Sequence, residues 1–242
     1  HITSKAKLRL EKTNYAKSLN HSIKKVDAKK GFLNQTQTLE ICTHYQIPTV
    51  KSFIIKPAEI ESCGIDFYPL VAKGINEEVV HKSELNAVKL NIRNKEELVI
   101  ASKEISESFN KAGFEVQSFL IQQYLAGENE ILIGGFRDPS FGPIIMFGTG
   151  GKYVEVFDDT SMKSCYLSDI DIDELILSTK IGKILNGVRG DMPSDLEKLR
   201  SIIRSCAAMM LENENIVEFD LNPIIFNRKY GYVSVDARIK IT

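Results

Sequence analysis

The stretch VEFDLNP, residues 217–223, places Glu218, Asp220 and Asn222 at every second position. Alternate residues of a strand share a face, so the three oxygen-bearing side chains would point one way, with Val217, Phe219 and Leu221 opposite. Asp236, in VSVDARI just downstream, would join them from the next strand of a hairpin. Hard oxygen donors on adjacent strands suit Mg²⁺, which takes one or two carboxylates and keeps positions for phosphate and water. The competing reading is a solvent-facing acidic strand, but strands are depleted in Asp and Asn, which favours the cation.

Four further features could do chemistry. Lys73 ends the apolar run FYPLVAK, where a lysine can neutralise a phosphate as a point charge or simply be solvated. His81, in VVHKSE, has the residue type of a nucleophile or proton carrier near neutral pH; taken alone, a single histidine reads as structural or exposed. In LIQQYLAGENE, a strand leads into a small-residue turn, where the backbone at Tyr124 and Leu125 could meet an adenine edge and a nearby acid could take ribose hydroxyls. The segment from Glu130 to Asp159 carries Gly148, Gly150 and Gly151 between strand-like runs. Such glycines suit close approach of backbone N–H groups to phosphate oxygens. Two ordinary hairpins explain them equally well.

These residues need a scaffold, and the composition bounds it. The chain has 242 residues, 43% hydrophobic and 26% charged, with a formal net charge of −1. That length fits one large domain or two closely packed lobes. The near-zero charge argues against general nucleic-acid binding, and no apolar run approaches the ~18 residues of a membrane span. Cys42, Cys63, Cys165 and Cys206 lack metal or disulfide spacing, and read as reduced, cytoplasmic thiols; Cys42 and Cys206 fall on buried helix faces. Residues 1–30 are lysine-rich and read as a solvated linker or arm.

Periodicity predicts a helix from an Asn34 cap to about Tyr45, with Leu39, Ile41 and Cys42 inward, and a short helix after Pro57. Strands are expected at 50–55, 68–73 and 88–91. A strong helix spans 94–113, with Leu98, Ala101, Ile105, Phe109 and Ala112 on one face. Further strands are expected at 116–124, 130–136, 144–147 and 153–157, and helices at 171–178 and 195–212. Short strands follow at 216–219, 223–226 and 232–235. Short hairpins mixed with a few long helices give an α+β class rather than an alternating doubly wound sheet.

In this order the pieces resemble an ATP-grasp domain, and more narrowly that of the ADP-forming acyl-CoA synthetases, relatives of succinyl-CoA synthetase. The matching stretches run over about residues 31–242. They are YQIPTVKSF (45–53), PLVAKG (69–74), HKSE (81–84), IQQYLAGENEILIGG (121–135), RDPSFGPIIMFGTGG (137–151), VEVFDD (154–159), LNGVRG (185–190), EFDLNP (218–223) and VDARI (235–239). The resemblance implies two α+β lobes, the smaller about 51–124, with a nucleotide cleft between them. It implies that Lys73 meets nucleotide phosphate, that Gln122, Gln123, Tyr124 and Leu125 hold adenine, and that Glu130 holds ribose. Gly148, Gly150 and Gly151 would approach the phosphates, with Arg189 a further anion contact. Asp220, Asn222 and Asp236 would bind Mg²⁺ with Glu218 nearby, and His81 would be the catalytic phosphoryl relay.

The implied reaction is acyl-CoA + ADP + phosphate ⇌ carboxylic acid + CoA + ATP. Its acyl-CoA chemistry would belong to partner CoA-binding domains or an α subunit that this chain lacks. Alone, the chain is expected to bind ATP or ADP with Mg²⁺ but not to complete the reaction. Leu85-Asn86-Ala87 stands where the family carries a Gly-Gly pair after its HKSE. Two other readings remain: an ATP-grasp carboxylate ligase of another kind, which would not need His81, and a non-catalytic ATP-binding regulatory domain of a fused protein acyltransferase. Neither membrane nor nucleic acid is an expected partner.

Overall fold

In a computed structural model of the chain, the described residues are 31–76, 87–151, 154–188 and 192–242. The expected basic arm, His81 and Arg189 lie outside them. The chain divides into two compact units: Val50–Ala126, and the residues on either side of it, 31–49 with Gly127–Thr242.

The larger unit begins with a two-residue strand β1 (Gly31–Phe32) and helix α1 (Gln35–His44). Asn34 caps α1 as its sequence predicts: Asn34 Oδ1 accepts the Gln37 N–H at 3.0 Å, and the Gln37 side chain accepts the Asn34 N–H at 3.0 Å. The reciprocal pair satisfies two of the donors that a helix start leaves open. Thr38, Ile41 and Cys42 are the buried positions, and Leu39 is only half-buried.

The unit Val50–Ala126 is a four-stranded antiparallel sheet in the order β2 (Ser52–Ile55), β5 (Ser118–Gln123), β3 (Leu70–Ile75), β4 (Val88–Ile92), with helix α2 (Lys95–Lys111) on one face. Leu98, Ala101, Ile105 and Phe109 of α2 are buried at the predicted spacing and pack with Leu70, Ala72, Phe119 and Ile121. Gly74 lets the helix come down on β3: a Cβ there would stand 2.7 Å from both Ile105 Cγ2 and Phe109 Cε2. The expected short helix after Pro57 is a single 3₁₀ turn, Pro57–Glu59. Ala87, from the non-glycine triplet, is fully buried, and its carbonyl accepts the Gly74 N–H at 2.8 Å.

The larger unit is built on a second antiparallel sheet, in the order β1, β11 (Ala237–Ile241), β9 (Ile216–Asn227), β6 (Asn129–Asp138), β7 (Gly142–Thr149), β8 (Thr160–Ser164). Strand β10 (Gly231–Ser234) pairs with the later half of β9. The core lies on one face, where helix α6 (Leu196–Glu212) buries Leu199, Ile203, Cys206 and Met210 against Ile131, Ile133, Ile145 and Phe147. Each such side chain taken from water contributes about 1.5–3 kcal/mol. Arg137 closes the far end of α6, donating to the carbonyls of Met210, Asn213 (2.7 Å) and Ile216 (2.8 Å). A cation on open helix carbonyls also complements the helix dipole.

Three expectations need correction. Residues 154–157, expected in a strand, form one helical turn, α3 (Val154–Phe157); the place beside β7 is taken by β8, whose pairing runs Gly148↔Thr160 to Ile144↔Ser164. The alternation of VEVF was a false period-2 signal. The two short strands expected at 216–219 and 223–226 are one strand, β9. Helices α4 (Asp169–Leu177) and α5 (Lys180–Leu185) start from Ser168 and Thr179 caps; the first begins two residues earlier than expected and the second was not expected.

Candidate functional site

Strand β9 organises the candidate residues of the larger unit. Phe219 and Leu221 enter the core, while Glu218 is exposed and Asp220 and Asn222 are half-buried on the other face. Pro223 stands mid-sheet without an N–H to donate, and β9 meets it with an irregularity. Against β6 the register slips between Ile131 and Ile133, so that Ile131 faces Ile224 but Ile133 faces Leu221. On the opposite edge β10 ends at Ser234↔Ile224 and β11 begins at Ala237↔Leu221. Bulges are where a central strand tolerates proline. Asp236 sits in the break between β10 and β11, beside this step.

The register fixes the electrostatics. Glu218 faces Lys240 across the ladder, with carboxylate and ammonium 3.5 Å apart, and Asp220 faces Arg238. Opposite-charge pairs of this kind are ordinary sheet stabilisers. Asp220 is not fully relieved by its pair: burial and the nearby charge of Asp236, with a smaller push from Glu218, outweigh the attraction of Arg238 and raise its carboxyl to about 6. On β6 the position opposite Asp220 is Gly134, which adds no side chain. Among the described residues no group of three or more His, Cys, Asp or Glu is gathered as a metal site. The structure brings Asp220 close to Asp236 and draws Glu218 towards Lys240. The charge of Asp236 adds to the burial that raises Asp220, and a divalent cation beside Asp220 would relieve it. The donor set therefore fits a hard cation with one or two protein carboxylates.

The three glycines have separate physical causes. Gly148 lies within β7, between Leu132 and Thr160, and a Cβ there would be driven into the Asp159 carbonyl. Gly150 donates its N–H to the Glu130 carbonyl at 2.9 Å and lies flat against the Ile131 backbone, which leaves no room for a side chain. Gly151 has φ +83°, and a Cβ would collide with the Glu130 carboxylate. Its N–H donates to Asn222 Oδ1 at 2.7 Å. The turn after β7 is thus tied to Glu130 on β6 and to Asn222 on β9.

In the unit Val50–Ala126, Lys73 lies on β3 opposite Leu120 and Val88, on the sheet face that α2 does not cover. Gln122 shares that face; it is buried and donates to Ser52 Oγ at 3.2 Å. The Gln123 N–H goes to the Lys51 carbonyl at 3.0 Å and the Tyr124 N–H to the Pro69 carbonyl at 2.9 Å; Leu125 is buried.

A family model described as the ATP-grasp domain matches residues 24–241. The chain belongs to the ATP-grasp domain family. It is similar to 4-hydroxybutyrate–CoA ligase [ADP-forming] of Nitrosopumilus maritimus, 35% identical over 230 residues, covering 93% of this chain but 32% of that ligase. It is also similar to the acetate–CoA ligase [ADP-forming] I subunit beta of Pyrococcus furiosus, 34% identical over 221 residues, 90% of this chain and 95% of that subunit. The chain thus spans a third of one relative and nearly the whole of a free-standing subunit of another. Among solved structures it resembles a dinucleotide-forming acetyl-coenzyme A synthetase 1 of Ca. Korarchaeum cryptofilum in complex with coenzyme A, Ca-AMPCP and HgCl⁺. The TM-score is 0.82 at 34% identity, covering 94% of this chain and all of that one. The same synthetase has been solved with coenzyme A and Mg-AMPPCP, its phosphohistidine segment pointing towards the nucleotide binding site; there the TM-score is 0.77 at 33% identity, with the same coverage.

In this ATP-grasp domain several residues carry more than sequence reasoning assigned them. Asp159 has no sequence signal beyond its place in the VEVFDD stretch, yet its buried carboxylate is a junction, accepting from Thr149 Oγ1 (2.6 Å) and from the Lys180 and Ile181 N–H groups (2.7 and 3.0 Å). Burial opposes its ionisation, but these hydrogen bonds and the Lys180 charge hold its carboxyl below the ordinary value. Arg238 and Lys240 were legible only once β11 was paired in register with β9. The Gly151–Asn222 tie has no sequence signal, because its partners are 71 positions apart. All four cysteines are free, and burial pushes Cys42 and Cys165 up to about 12, far from a reactive thiolate. Among the described residues no helix is long and apolar enough to cross a membrane.

Proposed function

We propose that this domain is the nucleotide-binding part of an ADP-forming acid–CoA ligase, passing a phosphoryl group between ATP/ADP and His81 in acyl-CoA + ADP + phosphate ⇌ carboxylic acid + CoA + ATP. The observation that carries this reading is its match to 95% of a separate β subunit of such a ligase, supported by a strand that carries Glu218, Asp220 and Asn222 on one face. Lys73 neutralises phosphate charge from the strand face opposite α2. With the Gln123 and Tyr124 N–H groups engaged on carbonyls, the Tyr124 carbonyl and Leu125 N–H read adenine, beside Gln122. Glu130 takes ribose hydroxyls, and Gly148, Gly150 and Gly151 shape the turn next to it. Arg189 lends a further positive charge to the phosphates.

Asp220, Asn222 and Asp236 hold Mg²⁺, with Glu218 beside them paired to Lys240; the cation, when bound, supplies charge neutralisation for the phosphates. The chain's own work is positioning and electrostatic complementarity, which dominate phosphoryl transfer. The CoA-binding domains that complete the reaction are its partner, on one polypeptide or on an α subunit, and the thiol content fits a cytoplasmic enzyme. Calorimetry should show ADP binding that requires Mg²⁺. With the CoA-binding partner supplied, γ-labelled ATP should leave an acid-labile, base-stable phosphoenzyme that His81→Asn abolishes. Full turnover by His81→Asn would remove the relay from this reading, and absence of Mg²⁺-dependent nucleotide binding would remove the reading itself.

A further inference from the structure

One oxygen in the larger unit has two claims on it. Asn222 Oδ1 accepts the Gly151 N–H at 2.7 Å, and the same side chain lies on the face of β9 that carries Asp220, beside the break that holds Asp236. The turn it secures is tightly specified. Gly150 N–H is tied to the Glu130 carbonyl at 2.9 Å, and Gly151 sits against the Glu130 carboxylate at φ +83°, a conformation that favours glycine. The Gly151 N–H is therefore a backbone donor beside a cluster of oxygen donors, and it is covered by an amide carbonyl.

We propose that the Gly151 N–H is a masked anion donor. While the Asp220–Asp236 pair holds no cation, Asn222 occupies it. When the pair takes a divalent cation, Asn222 Oδ1 turns to that cation, and the Gly151 N–H passes to an anion arriving with it, of the phosphate class. The sign does not depend on whether Oδ1 leaves the N–H completely. An amide oxygen has two lone pairs, and one that gives a lone pair to a cation is a poorer acceptor for the other partner. Occupancy of the carboxylate pair thus loosens the Gly151 tie in either geometry, and the turn becomes ready for phosphate only when the cation is present. A free anion without the cation meets a blocked donor, so the order of binding is built into one hydrogen bond. This inference rests on the cation reading above and adds the coupling to it.

The test uses the full ¹⁵N-labelled chain and Mg²⁺ alone, with Mn²⁺ as the reporter of occupancy through broadening of amides near Asp220 and Asp236. Mg²⁺ should speed hydrogen exchange at Gly151 about fivefold, the factor that the net strength of one hydrogen bond supports. Gly150, whose N–H goes to Glu130, should change far less. Asp236→Asn should remove the Mg²⁺ effect, and Asn222→Ala should give a Gly151 amide that exchanges fast with or without Mg²⁺. Inorganic phosphate should then shift the Gly151 amide only when Mg²⁺ is present. Mn²⁺ broadening with no change at Gly151 would overturn the coupling and leave the proposed function standing. Absence of Mn²⁺ broadening would overturn the cation reading and this inference together.

Discussion

Replacing Asp220 by Asn should stabilise the domain when no divalent cation is present. In the native state burial and Asp236 hold the Asp220 carboxyl at about 6, against an ordinary value of 3.8. Each pKa unit is worth about 1.4 kcal/mol, so ionising Asp220 costs the native state about 3 kcal/mol relative to the unfolded chain. The side chain is half-exposed, and solvent screening together with the desolvation of the replacement amide reduces the expected gain to about 1–2 kcal/mol. The sign follows from linkage. A carboxyl whose native value is raised binds its proton more tightly folded than unfolded. Its contribution is most favourable below about pH 4 and is lost as pH climbs through 6, so the variant's advantage should be absent at pH 4 and complete by pH 8. For a protein of this size 1 kcal/mol moves Tm by roughly 2–4 °C, so Asp220→Asn should melt about 3–6 °C higher than wild type at pH 8 in EDTA. Saturating Mg²⁺ should reverse the order, because only the wild type gains binding free energy. Thermal scans at pH 4, 6 and 8, with EDTA or with Mg²⁺, read all of this. A variant that melts no higher than wild type at pH 8, or an advantage that does not shrink on acidification, would refute the claim that Asp220 and Asp236 repel one another on a desolvated face.

Other outcomes follow from the same geometry. Gly150→Ala should lower stability by about 1–3 kcal/mol, because the methyl group meets the rigid Ile131 backbone; a lower urea midpoint at unchanged slope would show it. A variant of full stability that loses only nucleotide affinity would instead assign Gly150 wholly to phosphate. Lys73→Met should raise the Kd for Mg·ADP at least about tenfold by calorimetry, since hydrogen bonds to charged groups carry about 1.5–3 kcal/mol; an unchanged Kd would remove Lys73 from the phosphate site. Asp159→Ala should cost about 1–3 kcal/mol at pH 7 by stranding the Thr149, Lys180 and Ile181 donors. Because the native Asp159 carboxyl lies below its ordinary value, its contribution is whole above pH 3.8 and fades as pH falls through the native value, so the gap to wild type should narrow in acid.

The parts of the fold that sequence revealed are those whose signal is local. The spacing of Leu98, Ala101, Ile105 and Phe109 placed α2, and Asn34 with Gln37 placed the start of α1, because side chains three and four apart decide both. Alternation in VEFDLNP correctly put Glu218, Asp220 and Asn222 on one face, since the period of a strand is fixed by its backbone. The same rule failed for VEVF. Alternation records which residues would share a face if the segment were extended, and the ladder position beside β7 belongs to the more polar TSMKS of β8. What could not be read is whatever depends on register between distant strands. That Lys240 answers Glu218, that Arg238 answers Asp220, and that Asn222 secures Gly151 all follow from how β9 meets β11 and β7's turn. The glycines show the limit most clearly: one cluster in the sequence turned out to have three different steric neighbours.

Those neighbours also explain why the candidate site can tolerate a destabilising residue. Strand β9 is held on both edges and buries Phe219 and Leu221 beneath the carboxylates, so its position is set by the core and not by the charges above it. A repulsion of the size expected at Asp220 is small beside the burial of even two such side chains. The step at Asn222-Pro223 then turns a regular alternation into a directed one. By slipping the register against β6 and interrupting the β10–β11 edge at the same level, it brings Asp236 towards Asp220 and Asn222 towards the turn after β7. The ladder gives Asp220 the cross-strand base Arg238, as it gives Glu218 Lys240, yet burial and the charge of Asp236 at the break outweigh that pair. The irregularity thus leaves one carboxylate on a rigid strand only partly compensated, which is the arrangement the proposed cation would relieve.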